Sequence, residues 1–317
     1  MPKQVWHDRV TESRSIWAGF FFVIMIRLWM MLRKLFACFS ISFLFLLSGC
    51  VSLSRPELSA EEETALYPVS SYVPEFFEWE EVCPGLSRFD FENPDIPLIY
   101  HAVKIDLSST EEGAGGEEVL ALTTSSWERT SDFAARENCM VAINATPYDK
   151  TKLAGIYKVN GEILSGPVAR YAALGLQCGA DGVVTRARVF DSQTDGELKD
   201  FNYAFGGFFT VLEAGEVRQD FIRRTDSRSG AGISADGRTL YFLVVEGERT
   251  RHSIGLSYPQ CGQVFRAMGC SDALEFDGGG SAELCINGQS VLNYRVRRVH
   301  GNSFGFTLNK SSQARLR

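Results

Sequence analysis

Between residues 98 and 309 the chain keeps returning to short apolar runs with a period of two, separated by tight-turn residues. In 99–107, Val103, Ile105 and Leu107 fall on one side while Lys104 and Asp106 fall on the other, the pattern of a half-buried strand. Residues 118–123 form a second apolar run, and the polar, glycine-containing stretch 108–116 reads as the hairpin connection between the two. Asn160-Gly161, Asp236-Gly237 and Asn287-Gly288 each lie between apolar runs, where Asn, Asp and Gly tolerate the positive φ of a hairpin turn. Further strands are expected over 140–144, 171–176, 183–190 and 239–246. Helices are few: 131–137, with Thr130 or Ser131 as its cap, and 259–268, where Cys261, Val264 and Met268 make an apolar stripe. The expected fold class is α+β, a strand-dominated single domain of repeated hairpins with a few short helices.

The N-terminal part has a different pattern. Arg33 and Lys34 precede an apolar stretch over 35–47, which closes in Leu47-Ser48-Gly49-Cys50. That order and size are those of a signal sequence, and the closing residues resemble a lipobox, with lipid attachment at Cys50. The true start is expected at Met30 or Met31, making 1–49 a signal region; an uncleaved membrane anchor or an ordinary secretory signal is the alternative. Residues 50–71 carry Ser, Pro and the run Glu61-Glu62-Glu63, the composition of a tether. An aromatic-rich extension follows over 72–97, with Phe76, Phe77, Trp79, Phe89 and Phe91, then the domain over 98–309 and a tail over 310–317. This organisation implies an extracytoplasmic domain lipid-anchored to a bacterial membrane, the outer one preferred because Val51 is not the aspartate that often retains lipoproteins at an inner membrane.

Six of the 32 basic and two of the 39 acidic residues lie in the first 50, so the remainder holds 26 against 37 and a formal charge near −11. Such a surface repels nucleic acid, so any anionic substrate needs a local cluster of donors. Cys83, Cys139, Cys178, Cys261, Cys270 and Cys285 remain beyond the signal region. In an exported chain they are expected to supply at least one disulfide, with buried thiols as the alternative. Their spacing suits no zinc site, and neither a metal nor another cofactor is expected, although carboxylates beside a phosphate can recruit a divalent cation.

Chemistry concentrates in the run from Asp272 to Ser281, Asp-Ala-Leu-Glu-Phe-Asp-Gly-Gly-Gly-Ser. As a strand, 273–277 puts Leu274 and Phe276 on one face and Glu275 and Asp277 on the other. Gly278, Gly279 and Gly280 then permit backbone angles at which amides converge on an anion, and Ser281 adds a hydroxyl. On spacing alone, a tight turn closed by Asp277 is an equal reading.

These residues resemble the signature of the phosphodiester glycosidase family, which spans the catalytic domain of the lysosomal uncovering enzyme and bacterial exopolysaccharide-associated relatives. Further resemblances follow in order: Ala142-Ile143-Asn144, Ser227-Arg228-Ser229-Gly230, Ser253–Ser257 and Arg298-Val299-His300-Gly301-Asn302. The chain departs from the family pattern at Ala145-Thr146-Pro147-Tyr148, where a glycine and an aromatic pair are usual, and at Gly206-Gly207-Phe208-Phe209, which lacks a proline. The resemblance implies a hydrolase that cuts a sugar C1–O–P linkage in an envelope or extracellular glycan. The alternative is a non-catalytic carbohydrate-binding or envelope-organising lipoprotein on the same fold. It implies catalytic roles for Asp277 first, then Glu275 and His101. Substrate contacts are expected from Arg228, Ser229, Asn144, Gly278, Gly279, Gly280, Ser281, Arg298, His300 and Asn302. The structural alternatives are ion pairs for the arginines, a closed turn for Asn144 and packing roles for the histidines. The partners so implied are a sugar-phosphate or glycan and, through Cys50, a membrane.

Overall fold

The computed structural model describes residues 67–107, 119–219 and 224–308. Cys50, the signal region, the tether up to residue 66 and the tail lie outside the described residues.

The fold is α+β and built from antiparallel strands. An eight-stranded sheet runs in the spatial order Glu80–Cys83, Leu86–Asn93, Leu98–Asp106, Thr239–Val245, Arg228–Ile233, Asp272–Glu275, Thr210–Glu213, Glu216–Val217. One five-stranded sheet is ordered Val184–Phe190, Ala173–Cys178, Tyr203–Gly206, Tyr157–Val159, Glu162–Ser165, and another Gln289–Ser290, Leu284–Ile286, Val141–Asn144, Ser303–Leu308, Val119–Thr124. The 72–97 stretch thus contributes two strands to the large sheet.

Alternation along the strands decides what each face covers. Val103, Ile105, Phe242, Val244, Leu274 and Phe276 enter a central core shared with the smaller sheets. Phe304 is its hub, stacked on Phe205 with ring centroids 4.0 Å apart and meeting Phe242 edge-on at 5.3 Å. The opposite face carries Tyr100, Ala102, Leu243, Val245 and Ala273 against a second cluster. Helix Tyr258–Ala267 supplies that cluster with Cys261, Val264 and Phe265, and Met268 follows just past its end. A capping box of Ser257 and Gln260 starts this helix.

Two tight turns form as the sequence implies. Asn160 and Gly161 have φ 49° and 86°, and Asn287 and Gly288 have φ 50° and 75°, the left-handed pair of a two-residue hairpin. Other expectations need correction. Leu98–Asp106 and Val119–Thr124 are not a hairpin, because they belong to different sheets and pair with Leu86–Asn93 and Ser303–Leu308 respectively. Neither Thr130 nor Ser131 caps the first helix. It spans Thr130–Glu137 behind Arg129, whose side chain makes no cap bond. The exposed amides are taken instead from far along the chain: His300 Nε2 accepts from Thr130 N at 3.1 Å and Glu283 Oε2 from Ser131 N at 3.2 Å.

No disulfide forms among the described residues, contrary to the expectation from export. The six cysteines are spread over separate packing clusters. Cys261, on the second helix, and Cys270 belong to the cluster that this helix covers, Cys139 and Cys285 share a small cluster beside the first, and Cys83 donates to Met140 Sδ at 3.1 Å. Burial pushes the Cys139 thiol up to about 12 and Cys178 to about 11, so both stay protonated and unreactive. Among the described residues no helix is long and apolar enough to cross a membrane.

Candidate active site

The strand Asp272–Glu275 delivers its loop to a junction between sheets. Phe276 N donates to Ser229 O at 2.7 Å inside the eight-stranded sheet, and the next amide, Asp277 N, donates to Ala145 O at 3.0 Å beside the Val141–Asn144 strand. Gly279 N then reaches Ser227 O at 2.9 Å as the chain closes a 3-10 turn over Gly279–Ser281. Glycine is required twice. A Cβ on Gly278 would lie 2.7 Å from Ser227 O, and Gly279 has φ +58°. Asp277 and the three glycines stay half-buried, whereas Ser281 is fully enclosed. Among the described residues the amides of Gly278 and Gly280 find no acceptor in the protein.

Asn144 holds this junction. Its Nδ2 donates to Asp277 O at 2.6 Å, and its Oδ1 accepts from Ser229 Oγ at 2.8 Å and Glu283 N at 3.0 Å. Three of the four bonding directions of this fully buried amide are therefore used internally, and Ser229 is consumed with it. Asn302 repeats the device one step on, accepting from Thr146 N at 2.9 Å and donating to Thr146 Oγ1 at 3.1 Å. Asn144→Ala would orphan three buried groups at about 1–3 kcal/mol each. The expected outcome is a loss of at least about 3 kcal/mol in urea unfolding, with no rescue by aspartate, which cannot donate to Asp277 O. A loss below about 1 kcal/mol would contradict the clamp.

The charged groups separate into a buried and an open set. Glu275 is 1% exposed on the helix side of its strand, beside the Cys261 thiol and the Ser229 backbone. Burial pushes it up to about 7, opposed by the charge of Arg228. Arg228 is itself buried: Nε donates to Leu256 O at 2.8 Å, Nη2 to Arg224 O at 2.5 Å, and the guanidinium stacks 4.4 Å from the centre of the Tyr258 ring. Asp277 is the open carboxylate. Burial raises it to about 6, and the Ser281 hydroxyl and the Arg298 charge draw it partly back. Arg298 is exposed, and a Cβ on Gly280 would meet its guanidinium at 3.5 Å.

The histidines stand elsewhere. His101 lies between two carboxylates, Nδ1 2.7 Å from Asp90 Oδ1 and Nε2 3.1 Å from Glu246 Oε1, which hold its pKa above the ordinary value despite burial. It lines a separate cavity of about 590 Å³ with Asp90, Gln289 and Asn293. His300 is 1% exposed, and burial lowers it to about 4, so it is a neutral acceptor at the helix start. The structure thus brings together Asp277, Gly278–Ser281, Asn144, Ser229, Arg228 and Arg298, with Glu275 beneath them, and leaves His101 and His300 to other contacts. Sequence reasoning missed Tyr258, whose only local signal was an aromatic beside Ser257 and Pro259. It also missed Trp127, whose ring meets that of Tyr148 edge-on with centroids 5.0 Å apart.

The family model for phosphodiester glycosidases matches residues 137–307, more than half of the chain. A search of curated proteins finds no match. Among solved structures the chain is similar to the catalytic domain of zebrafish N-acetylglucosamine-1-phosphodiester alpha-N-acetylglucosaminidase, auto-inhibited by its pro-peptide. Identity is 18% and the TM-score 0.53, over 71% of this chain and 84% of that one. A hypothetical protein from Synechocystis is similar at 15% identity and TM-score 0.55; the match covers 71% of this chain but 62% of that one, less than two thirds of its length. At these identities the likeness is one of fold.

Proposed function

Because this chain belongs to the phosphodiester glycosidase family, we propose that it hydrolyses the C1–O bond of a sugar 1-phosphodiester in an envelope or extracellular glycan. The products are a free sugar and a phosphomonoester. The observation that carries this reading is the pairing of the half-buried Asp277 carboxylate with an exposed guanidinium, Arg298, across the glycine turn.

In the reaction Asp277 sits at the anomeric carbon and takes a proton from the attacking water. The C1–O electron pair leaves with the phosphate, already a good leaving group. Arg298 and the amides of Gly278 and Gly280 hold the phosphate oxygens. Arg228, fixed by two carbonyls, adds positive charge from below, and Glu275 acts through it as a positioning residue. His101, Asn144, Ser229, His300 and Asn302 support the frame. Anchoring through Cys50 and an extracytoplasmic location complete the proposal.

A base that titrates near 6 must be ionised to work, so kcat/KM should fall about tenfold per pH unit below about 6. A rate that stays flat down to pH 4.5 would remove Asp277 from this role. The reaction class is tested by incubating the purified protein with a methyl diester of a sugar 1-phosphate in heavy-oxygen water. Label in the sugar supports C1–O cleavage; label in the phosphate means P–O cleavage. Glycan binding without release of either product would favour the non-catalytic lipoprotein.

A further inference from the structure

We infer that Glu246, braced by His101, is a positioning residue for Arg298: one of its carboxylate oxygens fixes the upstream end of the segment that carries the arginine. The inference rests on the phosphate-holding role proposed for Arg298 and adds what sets that guanidinium against Asp277.

Residues 292–299 are irregular, and their main chain has little to hold it. Among the described residues Asn293 N is the one amide of this span that finds an acceptor in the protein, Glu246 Oε1 at 2.8 Å. At the far end Tyr148 Oη donates to Val299 O at 3.0 Å and His300 N to Glu128 O at 3.1 Å. Leu292 and Val296 are buried, but apolar contact is non-directional and does not fix the chain along its length. Packing does not back up the anchor from outside either, because Asn293 borders the cavity of about 590 Å³. Arg298 thus hangs in a span pinned at two ends, and Glu246 is the upstream pin.

The pin is itself held fast. Glu246 is 2% exposed, its N donates to Ile99 O at 3.0 Å and its O accepts from Ser253 Oγ. The oxygen that takes Asn293 N also faces His101 Nε2 at 3.1 Å, and His101 Nδ1 lies 2.7 Å from Asp90 Oδ1, beside which Arg88 makes an ion pair. The two carboxylates hold the imidazole toward its charged form, and that charge lets Glu246 stay ionised away from water. Position in the sheet gives the anchor its use. Val245 pairs with Arg228, so Glu246 comes level with Ser227, whose carbonyl accepts from Gly279 N at 2.9 Å. The glycine turn and the arginine segment are therefore both referenced to the same two strands, Arg228–Ile233 and Thr239–Val245.

A double-mutant cycle on a methyl diester of a sugar 1-phosphate tests this. Glu246→Ala should lower kcat/KM about tenfold, and Glu246→Gln, which keeps the accepting oxygen, should restore most of the loss. In an Arg298→Ala background Glu246→Ala should have no further effect. Losses that add, or no loss at all, would overturn the inference. Amide exchange followed by NMR needs neither turnover nor a stable alanine variant. In the wild type Asn293 N–H should exchange about tenfold or more slowly than the other amides of 292–299, and uniform exchange across the span overturns the anchor. If the wild type releases no sugar, the proposed reaction fails by itself, while protection at Asn293 that survives in Glu246→Gln and vanishes in Glu246→Ala still upholds the fastening.

Discussion

Asp277→Asn should lower kcat by about 10²–10⁴ and at the same time make the folded protein more stable at pH 7.5. The two effects share one cause. Burial raises the Asp277 carboxyl from 3.8 to about 6, so the fold favours the neutral acid. The stability this gives is fully present below about pH 3.8 and is lost as pH rises through 6, amounting to about 3 kcal/mol. Asparagine stays neutral and avoids that loss, yet it cannot accept the proton from water. Sugar release and thermal unfolding, measured on the same preparation at pH 5 and 7.5, give both readouts. A variant within tenfold of the wild-type rate would exclude Asp277 as the base. A variant less stable at pH 7.5 than at pH 5, to the same degree as the wild type, would mean that its ionisation is not what the fold resists.

The second large effect concerns Glu275. Its carboxyl is raised from 4.5 to about 7 by enclosure, so its contribution to stability is complete below about pH 4.5 and declines until pH 7. The decline is worth about 3 kcal/mol. Glu275→Gln removes this slope, whatever constant offset the amide introduces. His300 works in the opposite sense. Lowered from 6.5 to about 4, it contributes stability above pH 6.5 that is lost as pH falls to 4. Because both proteins contain His300, the difference between their urea-unfolding curves isolates Glu275. That difference should favour the variant by about 3 kcal/mol more at pH 8 than at pH 4.5. A difference that does not change with pH would show that Glu275 is charged in neither state or equally charged in both. Retaining a carboxyl at this cost has a use if its charge, when present, keeps the Arg228 guanidinium above the Tyr258 ring.

Local chemistry made some of this legible in the sequence. Asn160-Gly161 and Asn287-Gly288 announce their turns because few other residue pairs accept two successive positive φ angles. Leu274 and Phe276 face the central core because the strand period is two, and the same period places Glu275 on the other side. Partnership between distant segments left no such mark. The run Val119–Thr124 looks the same whether it pairs with its sequence neighbour or with Ser303–Leu308, and only the three-dimensional packing of Phe304 and Phe306 chooses. The cap of the first helix was hidden for the same reason, since His300 and Glu283 follow it by some 150 residues or more. At the site, the glycine run disclosed where the loop turns. It did not disclose that the Arg228 side chain faces inward while that of Arg298 stays at the surface, because both arginines sit in polar stretches of similar composition.

The Asn144 clamp has a consequence for how such a protein can diversify. One side chain fastens Asp277 to Ser229 and Glu283, so the glycine loop is stapled to two sheets. Trp127, Tyr148 and Val299 hang from connections that this amide does not touch. Changes at the rim can therefore accumulate by exchange of rings and loop lengths without disturbing the clamp. The converse is a narrow tolerance at the staple, where even a one-atom change from amide to acid takes away the donor that Asp277 O requires.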